Sequence, residues 1–159
     1  MKFPRIIRLD VSDENAFPLA AEPKEWAVTG TFAFADTDPS GFSNKEQLAF
    51  KNGWLGTESF GRATFVQVSI IPDEQFEETV RRLAAHLHDR YGAPDMLAAV
   101  EAARQEAEYA ADLCDHPAAT LLAIEREFTD EGVVERIRVM PKKNEGAHAK
   151  IWSVVEDEG

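Results

Sequence analysis

Cysteine is almost missing from this chain: there is one, Cys114, in 159 residues. A lone thiol builds no disulfide framework and suits a reducing compartment. Long apolar runs are missing as well, since none approaches the ~20 residues that cross a bilayer. Charges at Lys2, Arg5, Arg8 and Asp10 interrupt the opening stretch "MKFPRIIRLDVSDENAF" and leave no secretory apolar region. A cytoplasmic protein is the expectation. Basic charge is the third scarcity, with 17 Lys and Arg against 29 Asp and Glu, a net −12. That balance repels phosphate backbones and anionic lipid, and basic residues come at most in pairs, Arg81-Arg82 and Lys142-Lys143. Nucleic acid and membrane are therefore not expected partners, whereas a protein with a basic face is compatible. A homodimer is also compatible with an acidic domain carrying a sheet edge, although no residue specifies one.

What is present is enough for a core. A hydrophobic fraction of 44% beside 29% charged residues marks a globular chain. No repeat, linker or low-complexity stretch divides it, so residues 1–159 read as a single domain. "RIIRLDV" reads as a strand with Ile7, Leu9 and Val11 on one face. "WAVTGTFAFA" alternates with a period of two, placing Trp26, Val28, Phe32 and Phe34 on an aromatic core face. Ser43 followed by Glu46 is a capping-box pattern for a short helix, which Gly53 or Gly56 would end in the left-handed conformation. "ATFVQVSII" is apolar on both faces, as a strand covered on each side would be.

Phe76, Val80, Leu83, Leu87 and Tyr91 recur at helical spacing before Gly92. Pro94 opens a second long helix with the stripe Met96, Val100, Ala103, Ala107, Ala111 and Cys114. "ATLLAIEREF" and "VVERIRVM" flank the turn "TDEG" as a hairpin, with Glu125 and Glu127 facing Arg136 and Arg138 across a solvated surface. "AKIWSVV" reads as a last strand before an acidic end. The expected fold is α+β: one two-layer domain, an antiparallel or mixed sheet of about six strands, two long helices on one face and one short helix.

"LCDHPAAT" gathers a thiol, a carboxylate and an imidazole at Cys114, Asp115 and His116. Cys114 falls on the core stripe at the negative end of a helix dipole, which disfavours a thiolate. Pro117 forbids the helix from continuing, so Asp115 and His116 serve either as a helix stop or as a general acid-base pair. His86 and His88 point about 200° apart on a helix and cannot share one ion. No metal-ligand motif appears, and "DTDPSG" lacks the closing glutamate of a calcium loop. Gly53, Gly56 and Gly61 match neither the dinucleotide nor the P-loop spacing, so no cofactor is expected. Around them stand Trp54, Phe60 and Arg62, the best candidates for a ligand or partner surface, because aromatics with arginine anchor interfaces. Trp54 and Phe60 serve equally well as plugs at the core edge.

The segments "FPRIIRLD", "EWAVTGTFAF", "GFSNKEQLAFKNGWLGTESFG" and "LCDHPAATLLAI" together resemble an uncharacterised bacterial domain-of-unknown-function family of short acidic proteins. The resemblance spans nearly the whole chain and implies a self-contained bacterial protein. It implies no activity, cofactor or catalytic residue.

Three functions of different kinds fit. The first is a non-catalytic accessory or adaptor protein, favoured by acidity, the aromatic loop around Trp54 and the absence of a catalytic motif. A small-molecule binding domain is the second, with a pocket between Trp26, Phe32, Phe34 and the helices. The third is an enzyme that uses Asp115 and His116 with Arg62 or Glu58.

Overall fold

The computed structural model of the chain describes residues 1–10 and 12–141. Seven strands and four helices are described: β1 Lys2–Ile7, α1 Ser12–Ala16, β2 Ala27–Val28, α2 Asn44–Asn52, β3 Trp54–Gly56, β4 Arg62–Ala63, β5 Phe65–Ile70, α3 Asp73–Arg90, α4 Met96–Asp112, β6 Leu121–Thr129 and β7 Gly132–Val139. The class is α+β, as expected. The strands divide, however, into two antiparallel sheets, β1-β5-β6-β7 and β2-β3-β4, in place of one sheet of about six. The expected strand at 149–155 lies outside the described residues. Among the described residues no helix is long and apolar enough to cross a membrane.

β1 corrects the expected phase. Phe3 and Ile6 are buried, the strand ends at Ile7, and Leu9 is exposed. Phe3 belongs to the cluster beneath α3 and α4, and Ile6 to a second cluster with Val66, Val68, Leu122, Ile124 and Trp54. Register explains the split: Ile6 pairs with Val66 and Val66 with Leu122, so one row of side chains crosses three strands. β5 is interior to its sheet, but Val66 and Val68 are buried while Ile70 is exposed, so it is not covered on both faces along its length.

α3 buries Phe76, Val80, Leu83 and Leu87, and α4 buries the small row Ala99, Ala103, Ala107 and Ala110, which permits close approach of the two helices. Each large side chain buried this way contributes roughly 1.5–3 kcal/mol. Met96, expected on that row, is about half exposed because Asp95 caps the helix and Met96 lies on its first turn.

The predicted capping box is present, with Ser43 Oγ accepting from the Glu46 amide and Glu46 accepting from that of Ser43. Gly53 ends the helix at φ −95°, outside the left-handed region. Its glycine is needed for space: a Cβ there would stand 2.8 Å from the Ala49 carbonyl and 3.0 Å from the Arg62 side chain.

Candidate functional site

The expected strand over residues 26–35 stops at Val28, and the reason builds one wall of a cleft. Gly30 adopts φ +73° and the chain turns into a 3-10 segment, Thr31–Phe34. The carbonyls at this bend are taken by side chains from distant strands. Arg62 Nη1 donates to the Thr29 and Gly53 carbonyls at 3.3 and 3.1 Å, and its Nη2 to Gly30 at 3.1 Å. Arg126 Nη2 also donates to Thr29, its Nη1 to Phe50 at 2.7 Å, and its Nε to Thr31 Oγ1 at 2.7 Å. Both guanidinium groups lie close to the ring of Phe34, at 4.8 and 5.5 Å from its centroid. Phe34 is held further by edge contacts to Phe42 and Phe50, and Phe50 stacks on Phe128 at 4.1 Å.

The opposite wall rests on a buried carboxylate. Glu25 accepts from the amides of Glu58 and Ser59, both at 2.8 Å, from Ser59 Oγ at 2.6 Å and from the Glu22 amide at 2.7 Å. This clamp fixes the turn after β3 and presents Phe60 at φ +57°, a left-handed backbone that costs a non-glycine residue about 1–3 kcal/mol. The Phe60 ring stacks on His86 of α3 at 3.7 Å, and Tyr91 stands beyond, 5.4 Å from His86 and edge-on to Phe32 at 5.2 Å.

Between these walls lies an open cleft of about 530 Å³. Phe34, Phe42, Phe60, Tyr91 and Leu55 supply its apolar surface, and Arg62, His86, Arg90 and Glu46 its ionisable groups. The Phe60–His86 pair also borders a second cavity of about 380 Å³, shared with Glu58, Arg82, Asp89 and Arg90.

Electrostatics set the cleft apart from the acidic surface. Burial, reinforced by the charge of Arg126, pulls the Arg62 guanidinium down to about 9, so it remains a cation at neutral pH. Arg126 falls to about 10 through burial, with Glu135, 3.5 Å away, pulling the other way. His86 lies below its ordinary value because of burial first, then the charges of Arg90 and Arg62, which outweigh Asp89. Among the described residues no group of three His, Cys, Asp or Glu is placed to hold a metal ion.

The family model of DUF6505, a family of unknown function, matches residues 1–156. The chain belongs to DUF6505. Searches of curated proteins and of solved structures find no match.

Of the residues singled out from the sequence of this DUF6505 member, Phe60 and Arg62 meet in the cleft. Trp54 does not join them: it is fully buried in the second core cluster and acts as the plug. Arg62 is 7% exposed, facing the cleft rather than open solvent. Phe34 lines the cleft, Phe32 packs behind Tyr91, and Trp26 is a core residue whose Nε1 donates to Gln75 at 2.8 Å.

Asp115 and His116 follow the end of α4 and line neither cavity, so they do not meet Arg62 or Glu58 there. The His116 carbonyl accepts from Lys2 Nζ at 2.7 Å, which ties the helix stop to β1. Cys114 is buried and its thiol is pushed up to about 12, as its stripe position implies. His86 packs on Phe60 while His88 is exposed beside Asp89, on different flanks as expected.

Sequence reading missed Arg126, Glu135, Glu25, Phe42 and Arg90. A signal existed for Arg126, because Leu122, Ile124, Arg126 and Phe128 alternate on one face of β6. A charge in an apolar row requires buried partners. For Glu25 the only local partner is the Glu22 amide, and the donors that tie it to the cleft come from residues 58 and 59.

Proposed function

We propose that this protein binds a small molecule in the cleft. The ligand is a flat, largely apolar body seated between Phe34 and Phe42 on one side and Phe60 and Tyr91 on the other. What carries this reading is the combination of a cavity of about 530 Å³ with four aromatic walls and a single buried guanidinium at its base. Ligand sites are concave, mostly apolar and oriented by a few fixed polar groups, commonly within ~300–1,000 Å³. The walls are fixed before any ligand arrives, by the Glu25 clamp on one side and the two arginines on the other, so little ordering cost remains for binding.

The test is a thermal-shift screen of flat aromatic compounds against the native protein and Ala33→Trp, whose indole would fill the cleft from the 3-10 wall. Hits that raise the native melting temperature and leave the variant unmoved support the reading. Equal shifts in both proteins, or no hit across a diverse set, overturn it.

A second reading, an adaptor that binds another protein, draws on a different surface. Leu97 at the start of α4 is 80% exposed, and with Val100 it borders a shallow groove flanked by Glu101, Arg104 and Glu108. Acidic flanks suit a partner with a basic face. Capture of a stoichiometric partner at low salt, lost with Leu97→Glu, would favour it over the cleft.

A further inference from the structure

We infer that the ligand of the cleft is an anion: a flat apolar body bearing one compact negative group, such as a carboxylate, sulfonate or phosphate ester, received by Arg62 and Arg90. The inference rests on the binding reading above and narrows it to one charge class.

The argument begins with Arg62. A guanidinium carries five donors, and three of them reach the carbonyls of Thr29, Gly30 and Gly53. Nε and the second proton of Nη2 have no protein acceptor among the described residues. Their positive charge has no protein counterion either, since no carboxylate of the described residues lies within 4 Å of Arg62, whereas Glu135 stands 3.5 Å from Arg126. Backbone carbonyls satisfy hydrogen bonds but do not cancel a charge. A cation 93% withdrawn from water, facing a cleft and lacking a carboxylate, is the receptor half of an ion pair.

The surroundings repeat the sign. Arg90 lines the same cleft, is exposed and likewise has no carboxylate within 4 Å among the described residues. Glu46 is the one acid in the lining, and its carboxylate is occupied by the Ser43 amide in the helix cap. In a chain with a net charge of −12, the cleft thus carries two cations against one committed carboxylate.

Two dyes of one skeleton separate the claims: 1-anilinonaphthalene-8-sulfonate and its neutral parent N-phenyl-1-naphthylamine, both titrated by fluorescence. The sulfonate should bind the native protein about tenfold more tightly than the neutral dye, the size of one charged hydrogen bond. Added salt should weaken the sulfonate alone. Arg90→Gln, at an exposed position, should lower sulfonate affinity severalfold more than that of the neutral dye; Arg62→Gln serves as a second variant if it folds. Ala33→Trp should abolish both. Equal affinity of the two dyes, both lost in Ala33→Trp, would overturn the anion inference and leave the binding reading standing. Failure of both dyes to bind, or binding that persists in Ala33→Trp, would overturn both.

Discussion

Phe60 and His86 lie face to face, ring centroids 3.7 Å apart and planes 4° from parallel, and the cleft and the neighbouring cavity shared with Arg82 and Asp89 both border the pair. The stack joins the strained turn after β3 to the C-terminal half of α3. It also keeps an imidazole whose neutral form is favoured by burial first and then by the charges of Arg90 and Arg62.

That neutrality predicts a pH dependence. The folded pKa of His86 is depressed by burial, Arg90 and Arg62, so the unfolded chain binds more protons at this site. Stability therefore rises with pH through this group: it is fully present above the ordinary histidine value of about 6.5 and declines as pH falls below it toward the folded value. Replacing the imidazole with a ring that cannot titrate, His86→Phe, keeps the stack and removes the proton. Urea melts of both proteins between pH 7.5 and 5.5 should diverge in slope, the native protein losing more stability on acidification. Parallel curves would show that His86 titrates as freely folded as unfolded.

The two faces of the β6–β7 hairpin predict opposite sensitivities. On one face Arg138 meets Glu125 at 2.7 Å, and Arg136 reaches Glu125 and Glu127 at 3.9 and 4.0 Å, all substantially exposed. Pairs of this kind contribute ~0–1 kcal/mol. On the other face Arg126 is buried beside Glu135, which also accepts from Tyr109 at 2.6 Å and from Thr31. Removing one partner of a buried pair costs about 3–5 kcal/mol. Denaturant melts should accordingly separate Arg126→Met, a large loss, from Arg136→Ala, within about 1 kcal/mol of native. A similar small effect for both would mean that the Thr29 and Phe50 carbonyls find other donors.

This contrast marks how far the sequence was legible. Helical spacing in α3, the Ser43–Glu46 cap, the exposed charge pairs of the hairpin and the burial of Cys114 all follow from local pattern, because the residues that decide them are neighbours in sequence or on one element. The alternation of "WAVTGTFAFA" was misleading for a long-range reason. Gly30 turns the chain, and the carbonyls that a strand would pair are taken by Arg62 and Arg126, 33 and 97 residues from Thr29. Leu9 was misplaced because β1 ends two residues before it. The cleft itself joins the 3-10 turn, the loop on Glu25 and the end of α3, and no periodicity announces such a meeting. What was legible was residue type: Phe60 and Arg62 among glycines, and Phe34 on the aromatic segment.

The thiol offers a direct check on the core. Cys114 is 1% exposed, and burial pushes it up to about 12 against the small opposing pull of Lys2. The thiolate is the reactive form, so in the folded protein labelling should be limited by opening. Reaction with a chromogenic disulfide at pH 8 should be slow in native buffer and fast in urea. Rapid stoichiometric labelling without denaturant would show that the end of α4 is loosely held.

A last prediction concerns backbone strain away from the cleft. Ala119 adopts φ +71° between the helix stop and β6, and its amide donates to the Val68 carbonyl at 2.7 Å, which holds it there. Its side chain is exposed, so Ala119→Gly removes no core contact. A left-handed alanine costs about 1–2 kcal/mol, whereas glycine loses an extra ~0.5–1 kcal/mol of chain entropy on folding. The difference favours glycine, and the variant should be more stable by up to about 1 kcal/mol. Phe60→Gly relieves a similar φ but also loses the stack on His86, so it should gain nothing. Equilibrium melts of the two variants side by side distinguish strain alone from strain held in place by packing. An Ala119→Gly protein no more stable than native would place the compensation in the denatured chain.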